Sequence, residues 1–212
     1  MSYILFDVGA NDGSYSILEL EKNKDAICFA FEPTPYLINN IKTKINERNL
    51  NDRYHLMPYA ISNFIGKTAF NIAGQSDWGC SSLLEFSNNL DITWPGRTDF
   101  KVTETIDIEV ITLKYFIENI IQTKIDKIDY FHCDTQGSDL NVLQGMKEYI
   151  HLIEEGCVEA ASSGDTQLYK NQHTIEDMKN FLIKNNFIIT DTIPNDQFNN
   201  EFNIYFKKAS VS

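Results

Sequence analysis

The sequence predicts an α/β fold in which a mostly parallel β-sheet is covered by helices on both faces. Apolar runs of strand length alternate along the chain with segments in which apolar residues recur at helical spacing. Parallel strands need crossover connections, and helices on both sides of the sheet supply them. The last two predicted strands have no helix between them, so we expect an antiparallel hairpin at one edge of the sheet.

The first part of the chain sets up this alternation. Tyr3–Val8 is an apolar run of strand length, and Ser14–Lys22 follows it as a short predicted helix. Ala26–Phe31, with the sequence AICFAF, is a second buried strand. Tyr36–Arg48 carries apolar residues four positions apart, which predicts a helix. Two strand–helix units therefore open the chain.

The middle of the chain is less regular. His55–Ile61 is predicted as the third strand, and Lys67–Ile72 as an additional strand after a turn at Gly66. The segment Ala73–Thr105 is rich in Ser, Asn, Asp and Gly and predicts no regular element. Leu113–Gln122 is then predicted as a helix.

The final part alternates again between strand and helix and closes with the hairpin. Its predicted strands are Ile128–Cys133, His151–Glu159, Phe187–Thr192 and Phe202–Lys207, and its predicted helices are Ser138–Tyr149 and Thr174–Asn185. No repeat, low-complexity run or linker interrupts the series, which predicts a single domain of residues 1–212.

Composition and charge exclude several classes of protein. The net charge is −12, and Lys and Arg are not clustered as a phosphate-backbone binder requires, so we expect no nucleic acid partner. No apolar stretch approaches the roughly 18–20 residues of a membrane helix, and the N-terminus lacks the form of a signal peptide. The four Cys residues are dispersed, which indicates reduced thiols rather than a zinc site. These features favour a cytoplasmic protein.

The segment FDVGANDGSYS, which follows the first strand, predicts a nucleotide site. A strand that leads through a glycine-containing turn into a helix, with an acid about twenty residues further on, is how α/β folds bind the ribose of a nucleotide. That acid is Glu32, at the end of the second strand. Gly9 and Gly13 lack the spacing of the dinucleotide fingerprint, and Asp7 and Asp12 would repel a pyrophosphate. S-adenosylmethionine fits better, since it has no phosphate and carries a sulfonium and an ammonium.

A structural interpretation of the same residues is also open. A glycine loop after a first strand can be only a tight turn, and Glu32-Pro33 can be a helix start at which the macrodipole favours an acid. The order and spacing of the strand, loop and acid together favour the nucleotide interpretation.

The chain resembles the FkbM-type methyltransferases over most of its length. FDVGANDGSYS resembles the cofactor loop of that family, FEPTP its ribose-binding acid, and YAISNFIGKTAF the segment after the third strand. GCSSLLEF resembles a Ser-Ser element, and ITLKYFI the Thr-Leu-Asp segment, with Lys114 in place of the Asp. The most specific match is IDYFHCDTQGSDLNVLQGM, in which Asp139 stands where the family usually has Glu, and LYKNQHTIEDMKNFL resembles the final Leu-Tyr element and helix.

The resemblance implies a class I Rossmann-like methyltransferase fold, with a mostly parallel seven-stranded sheet and an antiparallel C-terminal hairpin. It further implies S-adenosyl-L-methionine as the methyl donor and, most often, O-methylation of a sugar or another hydroxylated small molecule. The chain begins close to its first strand, so we expect the irregular segment Ala73–Thr105 to supply the acceptor site.

Cofactor-binding roles follow from the positions of these residues. The backbone of the first loop is expected to contact the donor, Asp7 its ammonium, Glu32 its ribose, and the end of the third strand its adenine. Asp134 ends the fourth strand of the sheet at the switch point in strand order and is expected to face the methyl group. The full predicted set is Asp7, Gly9, Ala10, Asn11, Gly13, Ser14, Tyr15, Glu32, Pro33, Tyr59, Ala60, Ile61 and Asp134.

Candidates for the catalytic base are Asp134, His132 and Glu159, because an alcohol acceptor must lose a proton as it is methylated. His132 and Asp134 are two residues apart in a strand and share a face, although His132 is equally well interpreted as a core histidine and Glu159 as a solvated strand end. No metal is predicted. The alternative is a Mg²⁺ ion on Asp134, Asp139 and Glu159, and Asp139 is also typical of a first-turn helix acid.

The predicted acceptor-binding residues lie in or after the irregular segment. They are Trp78, Ser81, Ser82 and Tyr169, whose hydroxyl groups and aromatic faces suit a sugar. A plain surface loop with an exposed Trp, and a Tyr that only packs, account for the same composition. Two other functions remain open: an NAD-dependent oxidoreductase, and a catalytically silent methyltransferase-fold binding module. The sequence gives no indication of oligomeric state.

Overall fold

The computed structural model describes residues 2–73 and 78–210. The strands are β1 Tyr3–Val8, β2 Ala26–Phe31, β3 Tyr54–Met57, β4 Ala60–Ile61, β5 Gly66–Ala73, β6 Val102–Ile111, β7 Ile128–Cys133, β8 Ile153–Ala161, β9 Phe187–Pro194 and β10 Glu201–Lys208. The α-helices are α1 Ser14–Lys22, α2 Pro35–Glu47, α3 Leu90–Thr93, α4 Leu113–Tyr115, α5 Asp139–Gln144 and α6 Ile175–Lys184.

The main sheet confirms the predicted fold class. Its seven strands, all within the described residues, have the order β3-β2-β1-β7-β8-β10-β9. The first five in this order run parallel, and β10 runs antiparallel to both β8 and β9. The strand order reverses between β1 and β7, which makes the carboxyl ends of these two strands the switch point where ligands bind in such sheets.

A second sheet corrects the prediction for the middle of the chain. Its three strands in the described residues have the order β4-β6-β5. The predicted strand His55–Ile61 is divided between the two sheets, because Pro58 has no N–H to donate and interrupts the strand. β6 begins inside the segment predicted to be irregular. Most of its first residues are polar and exposed, so the local sequence has little of the hydrophobic pattern of a strand. Pairing with β5 holds this segment as a strand.

The helices cover both faces of the main sheet. Apolar residues of α1 and α2 pack on one face, and those of α5 and α6 on the other, where the larger core lies. Phe116 follows α4 in a π-helical turn, Phe116–Ile120, and is fully buried. Its ring centroid lies 4.9–5.9 Å from those of Phe6, Phe29 and Phe31, so this aromatic cluster joins the π-turn to β1 and β2.

Two predicted helices are shorter than expected. The predicted helix Leu113–Gln122 divides into α4 and the π-helical turn Phe116–Ile120. The predicted helix Ser138–Tyr149 divides into α5 and a 3₁₀ helix, Lys147–Leu152. Lys147 has φ 52°, which an α-helix cannot accommodate. The four Cys side chains are free thiols, and none of the helices in the described part of the chain is long and apolar enough to cross a membrane.

Candidate active site

A cavity opens at the carboxyl edge of the main sheet, with an empty volume of about 510 Å³ when the space open to solvent is included. Its walls come from the segments that follow β1, β2, β3 and β7, together with residues of the second sheet and of the segment between β5 and β6. The site therefore coincides with the switch point in strand order.

Glycine is required at the start of the first loop by a close approach of two backbones. Gly9 has φ +84°, and a Cβ there would lie 2.0 Å from the carbonyl oxygen of Asp134. The N–H groups of Gly9 and Ala10 both donate to the carbonyl of Phe31, each at 3.0 Å. The loop after β1 is thus fixed between the ends of β2 and β7, and Gly9 and Asn11 line the cavity.

Glu32 lines the cavity at the end of β2 with a carboxylate that is only partly satisfied. Its Oε2 accepts the N–H of Asn11 at 2.9 Å, and its Oε1 accepts the N–H of Thr34 at 2.8 Å. Each carboxylate oxygen retains capacity for a further hydrogen bond. Burial raises the pKa of Glu32 to about 7, although the bonds from Thr34 and Asn11 act in the opposite direction. The geometry suits a ligand that donates two neighbouring hydroxyl groups.

Apolar side chains form much of the remaining wall. The predicted adenine residues Tyr59, Ala60 and Ile61 all line the cavity, as does Pro33. The sequence did not point to Phe31, Leu37, Phe70 and Leu83, which join them there. The periodicity identified several of these as core residues, but it does not distinguish a core position from a cavity wall. An apolar surface of this kind suits a flat heteroaromatic ring.

Asp134 lines the cavity directly after β7. Its backbone N–H donates to the carbonyl of Val8 at 2.9 Å, and its Oδ1 accepts the side-chain N–H of Gln136 at 2.6 Å. Burial raises the pKa of Asp134, and His132 and Gln136 only partly offset this effect. Thr135 and Gln136 also line the cavity. Neither residue was predicted as a site residue from the sequence, although both lie in the DTQG part of the strongest motif.

The two acids of the first loop are engaged elsewhere. Asp7 is fully buried, and its Oδ1 lies 2.8 Å from Nδ1 of His132, while its Oδ2 has no partner in the described residues. Asp12 forms an ion pair with Lys44, with 2.6 Å between Oδ2 and Nζ. Neither carboxylate lines the cavity. The negative charge at the cavity wall therefore comes from Glu32 and Asp134.

His132 lies behind the cavity wall rather than in it. Its ring stacks on Tyr15 at a centroid distance of 4.0 Å, and neither residue lines the cavity. Burial lowers the pKa of His132, but the hydrogen bond and charge of Asp7 outweigh this, so the pKa is raised. Gly13 and Ser14 likewise lie outside the lining, and Gly13 precedes α1 with φ +74°.

Glu159 belongs to a buried acidic group rather than to a solvated strand end. Only 4% of it is exposed, its Oε1 accepts the side-chain N–H of Asn195, and its Oε2 has no partner in the described residues. Burial and then the charge of Glu201 raise the pKa of Glu159 well above its ordinary value. Glu159 is not part of the cavity lining.

Asp139 has a structural position beside this group. Its Oδ2 accepts the N–H and hydroxyl of Thr135 at 3.1 and 2.9 Å, and its Oδ1 accepts the N–H of Glu159 at 3.1 Å. Burial and the charge of Asp134 raise the pKa of Asp139 to about 7. Within the described residues, no three His, Cys, Asp or Glu side chains are arranged to hold a metal ion.

The predicted acceptor residues divide into one that reaches the cavity and others that support it. Ser81 lines the cavity. Ser82 is buried and donates its hydroxyl to the carbonyl of Gln136 at 2.6 Å, and Tyr169 is 0% exposed. The structure thus places Ser82 and Tyr169 behind the wall rather than on its surface. Trp78 begins the 3₁₀ turn Trp78–Cys80, and its side chain lies outside the described part of the structure.

Comparison with known families and structures gives a consistent result. The family model described as "Methyltransferase FkbM domain" matches residues 7–189. No curated protein matches the sequence. The chain is similar in structure to the methyltransferase FkbM from Methylobacillus flagellatus KT, with a TM-score of 0.60 and 15% identity over 97% of this chain and 43% of that protein.

Two further solved structures share the fold. TrmK of M. capricolum, in complex with the cofactor product S-adenosylhomocysteine, is similar with a TM-score of 0.52 and 13% identity over 98% of this chain and 62% of that protein. An rRNA methylase from Streptococcus thermophilus gives a TM-score of 0.51 and 8% identity, with coverage of 99% and 88%. The chain spans less than two thirds of the FkbM protein and of TrmK, at 43% and 62%.

Proposed function

Because the chain belongs to the FkbM methyltransferase domain family, we propose that it transfers a methyl group from S-adenosyl-L-methionine to a hydroxyl group of a small molecule. One observation carries this proposal. The buried Glu32 carboxylate lies in the cavity wall with free acceptor capacity on both oxygens, next to the apolar surface of Tyr59, Ala60 and Ile61. A ribose attached to an adenine matches this combination.

The charge of the cavity favours this donor over a dinucleotide. The described residues that line it include Glu32 and Asp134 but neither Lys nor Arg. A diphosphate would therefore meet two carboxylates and no cation, whereas S-adenosylmethionine would place its ribose at Glu32 and its sulfonium near Asp134, which attracts it.

Each of these residues has a separate role in the proposed reaction. Bound S-adenosylmethionine supplies a methyl group on a positively charged sulfur. Glu32 holds the ribose, the backbone of Gly9 and Asn11 contacts the donor, and Asp134 faces the reacting groups. Positioning the two reactants for in-line transfer is worth roughly 7–11 kcal/mol of the barrier. Asp134 is also the proposed base, because it lines the cavity and His132 and Glu159 do not.

We propose a neutral hydroxylated molecule as the acceptor, with a sugar as the first candidate. Ser81 offers a hydroxyl group in the cavity wall, and the absence of Lys and Arg from the described lining disfavours a phosphorylated acceptor. The net charge of −12 disfavours nucleic acid, although the fold is shared with an rRNA methylase.

Isothermal titration calorimetry of the purified protein with S-adenosylmethionine, S-adenosylhomocysteine and NAD tests the donor. We expect both S-adenosyl compounds to bind and NAD to give no heat of binding. Binding of NAD alone would support the oxidoreductase alternative and refute the proposal. A screen with methyl-labelled donor against sugars, other alcohols and RNA then tests the acceptor, and labelling of RNA alone would contradict a small-molecule acceptor. A protein that binds both S-adenosyl compounds but labels no acceptor would favour the silent binding module.

A further inference from the structure

Building on the proposed function, we propose that Gln136 is a positioning residue for the reaction. Tyr169 fixes the side-chain amide of Gln136, and this amide in turn holds the carboxylate of Asp134 toward the methyl donor. Tyr169, Gln136 and Asp134 form a hydrogen-bonded series that begins in the buried core and ends in the cavity wall.

Tyr169 is the buried end of this hydrogen-bonded series. It is 0% exposed, its ring stacks on Phe86 at 5.1 Å, and its hydroxyl lies 2.8 Å from Oε1 of Gln136 and 2.9 Å from the carbonyl of Cys80. A Cβ on Gly137, which has φ +92°, would lie 2.9 Å from the Tyr169 ring. The loop after β7 therefore packs directly on this ring.

The backbone of Gln136 is fixed as well as its side chain. Gln136 has φ 54°, and its carbonyl accepts the hydroxyl of Ser82 at 2.6 Å. A left-handed conformation at a residue other than glycine costs free energy and persists where neighbouring contacts hold it. Such positions are concentrated at functional sites, and this one lies in the cavity wall.

The Asp134 carboxylate and the Tyr169 hydroxyl together favour one orientation of the Gln136 amide. An ionised carboxylate can only accept, so Oδ1 of Asp134 pairs with Nε2 at 2.6 Å, and Oε1 is turned toward the Tyr169 hydroxyl at 2.8 Å. The carbonyl of Cys80, at 2.9 Å, is a second acceptor for the single proton of that hydroxyl. The reverse orientation would place the amide oxygen against the carboxylate, two acceptors with no proton between them. By donating to Oε1, Tyr169 stabilises the amide orientation in which Nε2 faces the Asp134 carboxylate.

Other groups that face Asp134 act on its charge as well. They are Asp7 on β1, His132 and Cys133 on β7, Asp139 on α5, Cys157 and Glu159 on β8, Glu201 on β10, and Tyr169. Most of these are acids that oppose ionisation. The amide of Gln136 and the His132 ring are the groups that favour it.

Calorimetry from pH 5.5 to 8 measures the affinities for S-adenosylmethionine and S-adenosylhomocysteine. The ratio of the two affinities tests this role without knowledge of the acceptor. The two ligands share ribose and adenine and differ in the charge on sulfur, so effects at Glu32 cancel in the ratio. In the wild type we expect the preference for the sulfonium to be smaller at low pH, because burial raises the pKa of Asp134 and a protonated carboxyl no longer attracts the sulfonium. Asp134→Asn should weaken this dependence.

Gln136→Leu should move the fall in the sulfonium preference to higher pH, because Asp134 loses a hydrogen bond that favours its charged form. At pH 7 the ratio of the two affinities should decrease by at least about threefold. Tyr169→Phe should act in the same direction. Tyr54→Phe is the matched control, since it removes another buried tyrosine hydroxyl, which bonds Ser16 at 2.9 Å away from the cavity. The affinity ratio of this variant should depend on pH in the same way as that of the wild type.

Two outcomes separate the two proposals. If the wild type binds neither ligand, the proposed function is refuted, and the positioning role with it. If both ligands bind but Gln136→Leu and Tyr169→Phe give the same pH profile as Tyr54→Phe, the positioning role alone is refuted. Gln136 lies at the cavity surface, so its variant tests the role even if Tyr169→Phe does not fold.

Discussion

Replacing Glu32 by Gln removes one negative charge from the cavity wall and leaves the side chain almost the same size. The carboxylate oxygens accept the N–H groups of Asn11 and Thr34 and are proposed to accept two ribose hydroxyls. A glutamine side chain keeps one acceptor oxygen and places an NH₂ group where the other stood. The ligand therefore loses one charge-assisted hydrogen bond, and the other becomes weaker.

The expected loss of affinity follows from these bonds. A hydrogen bond to a charged group contributes roughly 1.5–3 kcal/mol, so we expect Glu32→Gln to cost about 3 kcal/mol, or roughly 100-fold in Kd. The loss should be equal for S-adenosylmethionine and S-adenosylhomocysteine, because both contain the same ribose. Calorimetry at pH 8 measures both affinities, and Glu155→Gln, which neutralises an exposed acid outside the cavity, is the control.

The pH dependence gives a second, independent signature. The pKa of Glu32 is raised to about 7 by burial, so the side chain takes up a proton as the pH falls through 7 and can no longer accept from both hydroxyls. Affinity for both ligands should then fall by up to about tenfold per pH unit. In Glu32→Gln this component should be absent. Unchanged affinity in the variant, or loss of one ligand but not the other, would contradict the placement of the ribose at Glu32.

Three further predictions concern stability. Gly9→Ala should lower the free energy of unfolding by at least about 3 kcal/mol in urea denaturation, because its Cβ would lie 2.0 Å from the Asp134 carbonyl at φ +84°. Gly66→Ala, with no atom within 4 Å, should change it by less than about 0.5 kcal/mol, and equal effects would contradict the argument. Phe116→Ala should cost about 3–5 kcal/mol in the same assay, since the ring is fully buried among three others, and a loss below about 1 kcal/mol would count against that packing. Asp139 has a pKa of about 7 in the folded protein, above its ordinary 3.8, so its contribution to stability is present below pH 3.8 and is lost as the pH rises to 7. Urea denaturation across this range should show a shallower fall for Asp139→Asn than for the wild type, and identical slopes would refute the assignment.

Several parts of the structure could be predicted from local sequence because local physics determines them. The boundaries of β1, α1, β2 and β7 agree with the predicted ones, since each is bounded by a clear change in hydrophobic pattern. β6 could not be found this way. Its early residues are polar and exposed, and it is held as a strand by its pairing with β5, a contact that the local pattern does not contain.

Some residues of the candidate site could also be predicted from the sequence, and others could not. Gly9, Glu32 and Asp134 each end or follow a parallel strand, and the carboxyl ends of parallel strands meet at one edge of the sheet. The parallel direction of the strands and the family resemblance were therefore enough to predict that these residues lie together. Gln136 lies in the same motif, but the sequence gives no reason to single it out until Tyr169, distant along the chain, is seen against it.

The sequence by itself determined the strand–helix order, the glycine turn after the first strand and the acids at the strand ends, because these depend on neighbours along the chain. The tertiary structure alone decided which carboxylates face the ligand. The sequence predicted that the acids of the first loop, Asp7 and Asp12, suit a cationic ligand, yet His132 and Lys44, both remote in the chain, pair with them and leave Glu32 and Asp134 at the cavity. A charge is available to a ligand only where the fold leaves it without a cationic partner, and such partners are brought together by folding.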